Sequence, residues 1–179
     1  ALLRESSAEQ DRIVHLLEGL QALARGEAAE SLPREDVELG DLVDAAIYGA
    51  RRRHPGVAFA LREQEEGGTL HGWANGLRLV VDNLLENAAL HGGARVDVDL
   101  AREDDRWLLR VADDGPGIPE SERERLLEPF ARGRAATAEG TGLGLAIVAQ
   151  QVGLHGGELR LADSELGGLA VEVRLPARR

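Results

Sequence analysis

The stretch Asn83-Leu84-Leu85-Glu86-Asn87 is the first of four short segments whose order along the chain decides the fold. The three later segments are Asp113-Asp114-Gly115-Pro116-Gly117, Glu128-Pro129-Phe130-Ala131-Arg132 and Gly140-Thr141-Gly142-Leu143-Gly144-Leu145. Each segment alone has an ordinary explanation, such as the solvated flank of a helix or a plain glycine turn. All four would converge only if one pocket organises them, and together they predict a nucleotide site.

The first segment lies within a predicted amphipathic helix over residues 76–91. The apolar residues that form one continuous face of this helix are Leu77, Val80, Val81, Leu84, Leu85 and Ala88. Asn83, Glu86 and Asn87 are expected side by side on the flank of that face. An asparagine oxygen can bind a hard cation without adding charge beside a triphosphate, which favours Mg²⁺. Glu86 is placed to act as a base if it faces the terminal phosphate.

Two glycine segments supply the rest of the predicted site. Asp113 follows a strand expected over residues 107–111, where an ionised carboxylate could accept a hydrogen bond from the amine of adenine. Gly115 and Gly117 would let the chain turn close against a flat base. The other glycine segment, the fourth of the four, lies at the start of an apolar helix expected over 142–155. Its glycines are Gly140, Gly142 and Gly144. Free N–H groups there could face phosphates, although tight helix packing is the alternative.

Composition excludes several classes of function. All 21 basic residues among the 179 are arginines, so no lysine is present for a Walker-type phosphate loop or a Schiff base. The net charge of −11 argues against a nucleic-acid surface. There is no cysteine, which removes thiol chemistry. No methionine opens the chain and no apolar run reaches 18 residues, so we expect a piece of a longer protein without a membrane span of its own.

Periodicity predicts the remaining elements. The predicted helices lie at residues 11–25 and 39–53, in addition to those above. The predicted strands lie at residues 57–61, 69–73, 94–100 and 107–111, and a closing hairpin joins 158–161 to 169–175 around Gly167-Gly168. A long polar segment without a clear period is expected from Ile118 to Glu139.

The four segments resemble the N box, first glycine box, F box and second glycine box of the catalytic ATP-binding domain of sensor histidine kinases. This domain belongs to the superfamily that includes gyrase, the Hsp90 chaperones and MutL. The resemblance covers residues 37–176. It implies an α/β (α+β) two-layer sandwich, with a mixed sheet covered on one face by helices and an ATP lid at 118–139. The implied domains are a hairpin remnant at 1–30, a linker at 31–36 and the catalytic domain at 37–179.

By position, the resemblance also implies the roles of the site residues. Asn87 resembles the magnesium ligand and Asn83 a phosphate-side neighbour, while Glu86 resembles the acidic residue that activates the acceptor histidine. The residues implied to contact the nucleotide are Asp113, Gly115, Gly117, Ile118, Phe130, Arg132, Gly140, Thr141, Gly142, Leu143, Gly144 and Leu145. A basic residue and an aromatic one often follow the second asparagine in this family. Here the pair is Leu90-His91, so one cation is missing and His91 could reach the nucleotide instead.

The predicted helix at 11–25 resembles the second helix of the dimerisation hairpin that precedes this domain in sensor kinases. The first hairpin helix, which carries the acceptor histidine, is not in this sequence, and His15 lacks the flanking residues of an acceptor motif. The resemblance implies Mg-ATP as cofactor, and as partners a hairpin of the same or a sister subunit and a response regulator receiver domain. It also implies a cytoplasmic domain of a membrane-anchored receptor, attached through segments outside this chain. The alternatives are a serine-protein kinase of the anti-sigma type or a nucleotide-binding scaffold without turnover.

Overall fold

The structure is a computed structural model that describes residues 32–63, 68–131 and 142–177. Its helices are α1 (Leu39–Arg53), α2 (Ala74–His91), the short α3 (Glu120–Arg123) and α4 (Gly144–Leu154), with a 3₁₀ turn at Arg125–Leu127. Its strands are β1 (Glu35–Glu38), β2 (Ala58–Glu63), β3 (Thr69–Gly72), β4 (Arg95–Glu103), β5 (Arg106–Asp113), β6 (Glu158–Asp163) and β7 (Leu169–Pro176). The predicted helix at 11–25 lies outside the described residues.

The main sheet has five strands in the order β2-β4-β5-β7-β6. The pair β2 and β4 is parallel, and the other three pairs are antiparallel. Strands β1 and β3 form a separate antiparallel pair. The predicted mixed sheet is therefore confirmed, as is the hairpin that joins β6 to β7.

The helices cover one face of this sheet because the strands alternate between apolar and charged residues. On β4, Val96, Val98 and Leu100 are buried in the same core as Leu84 and Leu85 of α2. The other face carries ion pairs within and between strands. Arg110 of β5 pairs with Asp99 of the neighbouring β4, and Arg174 of β7 pairs with Glu172 of the same strand and with Glu103 of β4. This arrangement confirms the two-layer sandwich.

The periodicity located α1, α2 and α4 within two residues and missed the short α3 and one strand. The prediction for α1 matches its observed bounds, and α2 begins two residues before the predicted start. Strand β1 was not predicted, because its four residues contain a single apolar side chain, Val37. It forms by pairing with β3, where Val37 lies opposite Leu70. The polar segment after Ile118 contains α3 and a 3₁₀ turn, in which Leu126 is buried.

A buried histidine joins the start of α2 to the end of α4. The backbone N–H of Trp73 donates to Nε2 of His155 at 3.0 Å, so Nε2 carries no proton. The other ring nitrogen, Nδ1, lies 2.7 Å from the carbonyl oxygen of Gln151 and donates to it. Arg34 donates to the carbonyl of Leu154 alongside. Burial holds the pKa of His155 below its ordinary value of 6.5.

We expect this histidine to make the fold less stable in mild acid. Its pKa is lower in the folded state, so the unfolded chain binds the proton more readily as the pH falls below about 6.5. The free energy of unfolding should therefore be constant near neutral pH and fall by up to about 1.4 kcal/mol per pH unit below it. Denaturant titrations of wild type and His155→Asn between about pH 7.5 and 5.5 measure this contribution. Equal slopes for the two proteins would contradict it.

Candidate functional site

Helices α2 and α4 lie side by side in opposite directions. The residue before α2, Trp73, bonds to His155 just after the end of α4. Near the opposite ends of the two helices, Asn87 of α2 lies against Gly144, the first residue of α4. The first and last of the four sequence segments therefore meet, although 56 residues lie between these two positions in the sequence.

The contact between Asn87 and Gly144 leaves little room for a side chain on Gly144. A Cβ atom there would lie 3.0 Å from both Nδ2 and Oδ1 of Asn87, and 3.3 Å from Oδ1 of Asn83. The amide of Asn83 is held by its own helix, since Nδ2 donates to the carbonyl of Leu79 at 2.8 Å. Nδ2 of Asn87 is buried and has no hydrogen-bond partner among the described residues. An unpaired buried amide is costly, so this group is ready for a ligand.

Asp113 is a buried carboxylate at the end of β5, as the sequence predicted for the strand end. Its Oδ1 accepts hydrogen bonds from the backbone N–H groups of Gly115 at 2.9 Å and Leu169 at 3.2 Å. Burial raises the pKa of Asp113, and the two N–H donors oppose that rise. Its Oδ2 has no hydrogen bond in the described part of the chain, so it is left to accept one.

The end of α2 packs directly on the turn that follows Asp113. A Cβ on Gly115 would lie 2.6 Å from Cα of Gly92, and a Cβ on Gly92 would lie 2.8 Å from Cβ of Asp113. Sequence reasoning missed Gly92 and its neighbour Gly93 as parts of the site. The only signal for them was a glycine pair after a helix, which usually indicates no more than a helix end. His91 is exposed at the same end, and its positive charge when protonated favours the ionised form of Asp113.

The third and fourth segments meet at Phe130 and Gly142. The N–H of Phe130 donates to the carbonyl of Gly142 at 2.9 Å. Both residues have positive φ, +65° and +71°, which is uncommon for a phenylalanine. The side chain of Phe130 is exposed. Leu143 is buried against Ile147 and Leu79. Arg132, Gly140 and Thr141 lie outside the described residues.

Four predicted site residues lie away from the contact between Asn87 and Gly144. Leu145 packs against the main core beneath the start of α4. Gly117, with φ of +70°, and the half-buried Ile118 line an open groove of about 350 Å³ beside the turn between β6 and β7. The carboxylate of Glu86 is not directed toward Gly144. Its Oε2 lies 3.0 Å from Nε2 of His54 and 3.5 Å from Nε of Arg53, at the end of α1.

Comparisons with known proteins agree with this geometry. Residues 72–179 match the sequence profile of the family described as histidine kinase-, DNA gyrase B- and HSP90-like ATPases. The solved structure of the mycobacterial sensor histidine kinase MprB is 36% identical, with a TM-score of 0.74, over 80% of this chain and 99% of that one. The ATP-binding domain of PrrB from Mycobacterium tuberculosis is 35% identical, with a TM-score of 0.70, over 82% and 98%.

The chain belongs to this family. Within it, the chain is an ATP-binding catalytic domain of the sensor histidine kinase type, and the resemblance drawn from the four segments is confirmed. The sensor-type histidine kinase PrrB of Mycobacterium tuberculosis is 41% identical over 177 residues. That match covers 98% of this chain and 39% of PrrB, so the chain spans about two fifths of its curated relative.

The described residues include neither a membrane-spanning helix nor a cluster of metal-binding side chains. In the portion of the chain that the structure describes, no helix is both long and apolar enough to span a bilayer. The same residues contain no group of three or more histidine, aspartate or glutamate side chains arranged to hold a metal ion.

Proposed function

We propose that this domain transfers the γ-phosphoryl group of Mg-ATP to a histidine on a dimerisation hairpin of the same or a sister subunit. The phosphoryl group would then pass to an aspartate in the receiver domain of a response regulator. The names of the relatives support this reaction, since PrrB and MprB are both called histidine kinases. We further propose that the domain is cytoplasmic and belongs to a membrane-anchored receptor.

The observation that carries the proposal is the contact of Asn87 with Gly144. The N–H groups at the start of α4 are free of helical partners and can bind phosphate oxygens at the positive end of the helix dipole. The amide of Asn87 lies beside them with an unpaired nitrogen. Its oxygen is a hard ligand of the kind that Mg²⁺ takes when phosphates supply most of its shell. Mg²⁺ there would neutralise charge on the transferred group.

The base of the nucleotide would lie at Asp113, whose unpaired Oδ2 can accept the 6-amino group of adenine. Gly115 and Gly117 let the backbone approach the ring, and Ile118 offers an apolar contact. His91 stands at the open edge of this site. We further propose that Arg132, Gly140 and Thr141 contact the phosphates and that Phe130 closes over them.

Glu86 is proposed to accept the proton of the acceptor histidine. Both of its contacts are made by Oε2, so Oε1 is left for the incoming imidazole. His54 and Arg53 would hold the carboxylate in a fixed position beside Asn87, which is the next residue of the helix. A positioned carboxylate is a suitable general base for this transfer.

We expect Asn87→Ala to abolish the effect of Mg²⁺ on ATP affinity. In wild type, ATP should bind about tenfold or more tightly with Mg²⁺ than without it, because the metal joins the phosphates to the amide oxygen. Asn75→Ala is the matched control, since Asn75 is exposed near the start of the same helix. Calorimetric titrations with and without Mg²⁺ measure both. The assignment is wrong if Asn87→Ala keeps the full dependence on the metal.

The acceptor is identified by incubating the chain with labelled ATP and a separately expressed hairpin. Acid-labile label on a hairpin histidine supports the proposal. Acid-stable label on a serine would indicate the anti-sigma type of kinase, and no transfer to any residue would indicate a scaffold. The chain alone should take up no stable label, because the acceptor helix is absent from its sequence.

A further inference from the structure

We propose that the turn between β6 and β7, at Gly168-Leu169, determines which purine this site accepts. It does so by fixing the Asp113 carboxylate so that Oδ2 faces position 6 of the base. The inference rests on the proposed location of the base at Asp113. Neither Gly168 nor Leu169 belongs to the four sequence segments that predicted the site.

Two N–H donors, one of them from the β6–β7 side, occupy one of the two carboxylate oxygens. Oδ1 of Asp113 accepts from Gly115 at 2.9 Å within its own turn, and from Leu169 at 3.2 Å across the sheet. The N–H of Gly168 also donates to the carbonyl oxygen of Asp113 at 3.2 Å. These bonds hold both the backbone and the side chain of Asp113, so its carboxylate has a single orientation.

Only glycine allows position 168 to come this close. A Cβ on Gly168 would overlap Oδ1 of Asp113, and it would lie 2.5 Å from the nitrogen of Gly115 and 2.6 Å from the carbonyl oxygen of Asp113. Two of these three atoms are backbone and cannot rotate away. The turn is itself fixed by hydrogen bonds, from Ser164 N–H to the carbonyl of Gly168 and from Leu166 N–H to Oγ of Ser164.

The consequence concerns hydrogen-bond polarity. With both N–H donors on Oδ1, the atom left for the base is Oδ2, which only accepts. Position 6 of the purine must then donate, as the amino group of adenine does and the keto oxygen of hypoxanthine or guanine does not. If residue 113 were asparagine, its oxygen would have to stay on the two N–H donors. Its NH₂ group would then face the base, and the site would favour a 6-keto purine.

The decisive test is the binding of ATP and ITP, which differ at position 6, to wild type and Asp113→Asn. Wild type should bind ATP about tenfold or more tightly than ITP. The variant should lose about tenfold or more in ATP affinity and bind ITP at least as tightly as ATP. If the variant weakens both nucleotides alike, the turn does not fix the orientation and the inference is wrong. If neither affinity changes, the base lies elsewhere and the proposed site itself fails.

Gly168→Ala tests the turn directly, with Gly56→Ala as the matched control because no atom lies within 4 Å of a Cβ there. We expect Gly168→Ala to weaken ATP binding about tenfold and to narrow the ratio of ATP to ITP affinity, while Gly56→Ala changes neither. In ¹³C NMR titrations, the pKa of the Asp113 carboxyl should rise further once the N–H donors move away. A folded Gly168→Ala protein with both properties unchanged overturns the inference. If this variant does not fold, the Asp113→Asn result decides alone.

Discussion

Gly144→Val is expected to lower the affinity for ATP by about 100-fold or more. The reason is the 3.0 Å that separates a Cβ at this position from both polar atoms of the Asn87 amide. A valine would displace that amide and the neighbouring oxygen of Asn83, and its methyl groups would cover the N–H groups at the start of α4. Both the proposed metal ligand and the proposed phosphate donors would be lost in one change. Fluorescence or calorimetric titration with Mg-ATP measures the effect.

The matched control is Gly153→Val on the same helix. Position 153 has no atom within 4 Å of an added Cβ, so valine fits there without displacing a neighbour. Because both changes replace glycine by valine within α4, their effects on helix propensity are similar. We expect Gly153→Val to bind ATP as wild type does. Equal affinities for the two variants, with both folded by circular dichroism, would show that the start of α4 does not bind the phosphates.

The main helices of this domain could be predicted because the spacing of apolar residues that defines a helix lies within the helix's own sequence. The faces of α1 and α2 follow from apolar spacing alone, and the buried residues Leu84 and Leu85 lie where that spacing predicts. Strand β1 could not be predicted in this way, since its four residues carry almost no pattern of their own. It exists because β3 offers an edge with Leu70 opposite Val37. Such a strand depends on its partner and not on its own sequence.

The part of the candidate site that could be predicted is the part formed by the four sequence segments. Their order predicted a common pocket, and Asn87 does lie against Gly144. The roles of Gly92 and Gly168 could not be inferred, since a glycine that permits close packing is identical in sequence to a glycine in a plain turn. Only the packed structure distinguishes them, by the atoms that an added Cβ would strike.

The orientation of the Glu86 side chain could not be predicted from the sequence either. Successive residues of a helix are about 100° apart around its axis. Around α2, Glu86 therefore lies about 60° from Asn83, on the side opposite to Asn87. Whether its carboxylate turns toward α4 or α1 depends on what each neighbour offers. The end of α1 offers His54 and Arg53, more than 30 residues earlier in the chain, and Glu86 pairs with them. The three polar residues predicted side by side on α2 therefore contact two different helices, Asn83 and Asn87 the start of α4 and Glu86 the end of α1.

Glu86→Gln is expected to slow phosphoryl transfer to the hairpin histidine by about 100-fold or more, with ATP affinity unchanged. Glutamine keeps the size of the side chain and can still bond to His54, but it cannot take up the proton of the acceptor imidazole. This change leaves the proposed phosphate site at Asn87 and Gly144 unaltered. Single-turnover transfer from labelled Mg-ATP to the added hairpin measures the rate, and equilibrium titration measures the affinity.

A purely structural role for Glu86 would give a different pattern. The pair of Glu86 with Arg53 is partly exposed, with 30% and 44% of the side-chain surfaces accessible, so breaking it should cost about 1 kcal/mol or less. His54→Ala removes the other partner of the same carboxylate and reports what the pairing contributes to stability. If both variants lose the same stability and transfer proceeds at the wild-type rate in Glu86→Gln, Glu86 only joins α2 to α1. A slow Glu86→Gln protein of normal stability and normal ATP affinity identifies the base.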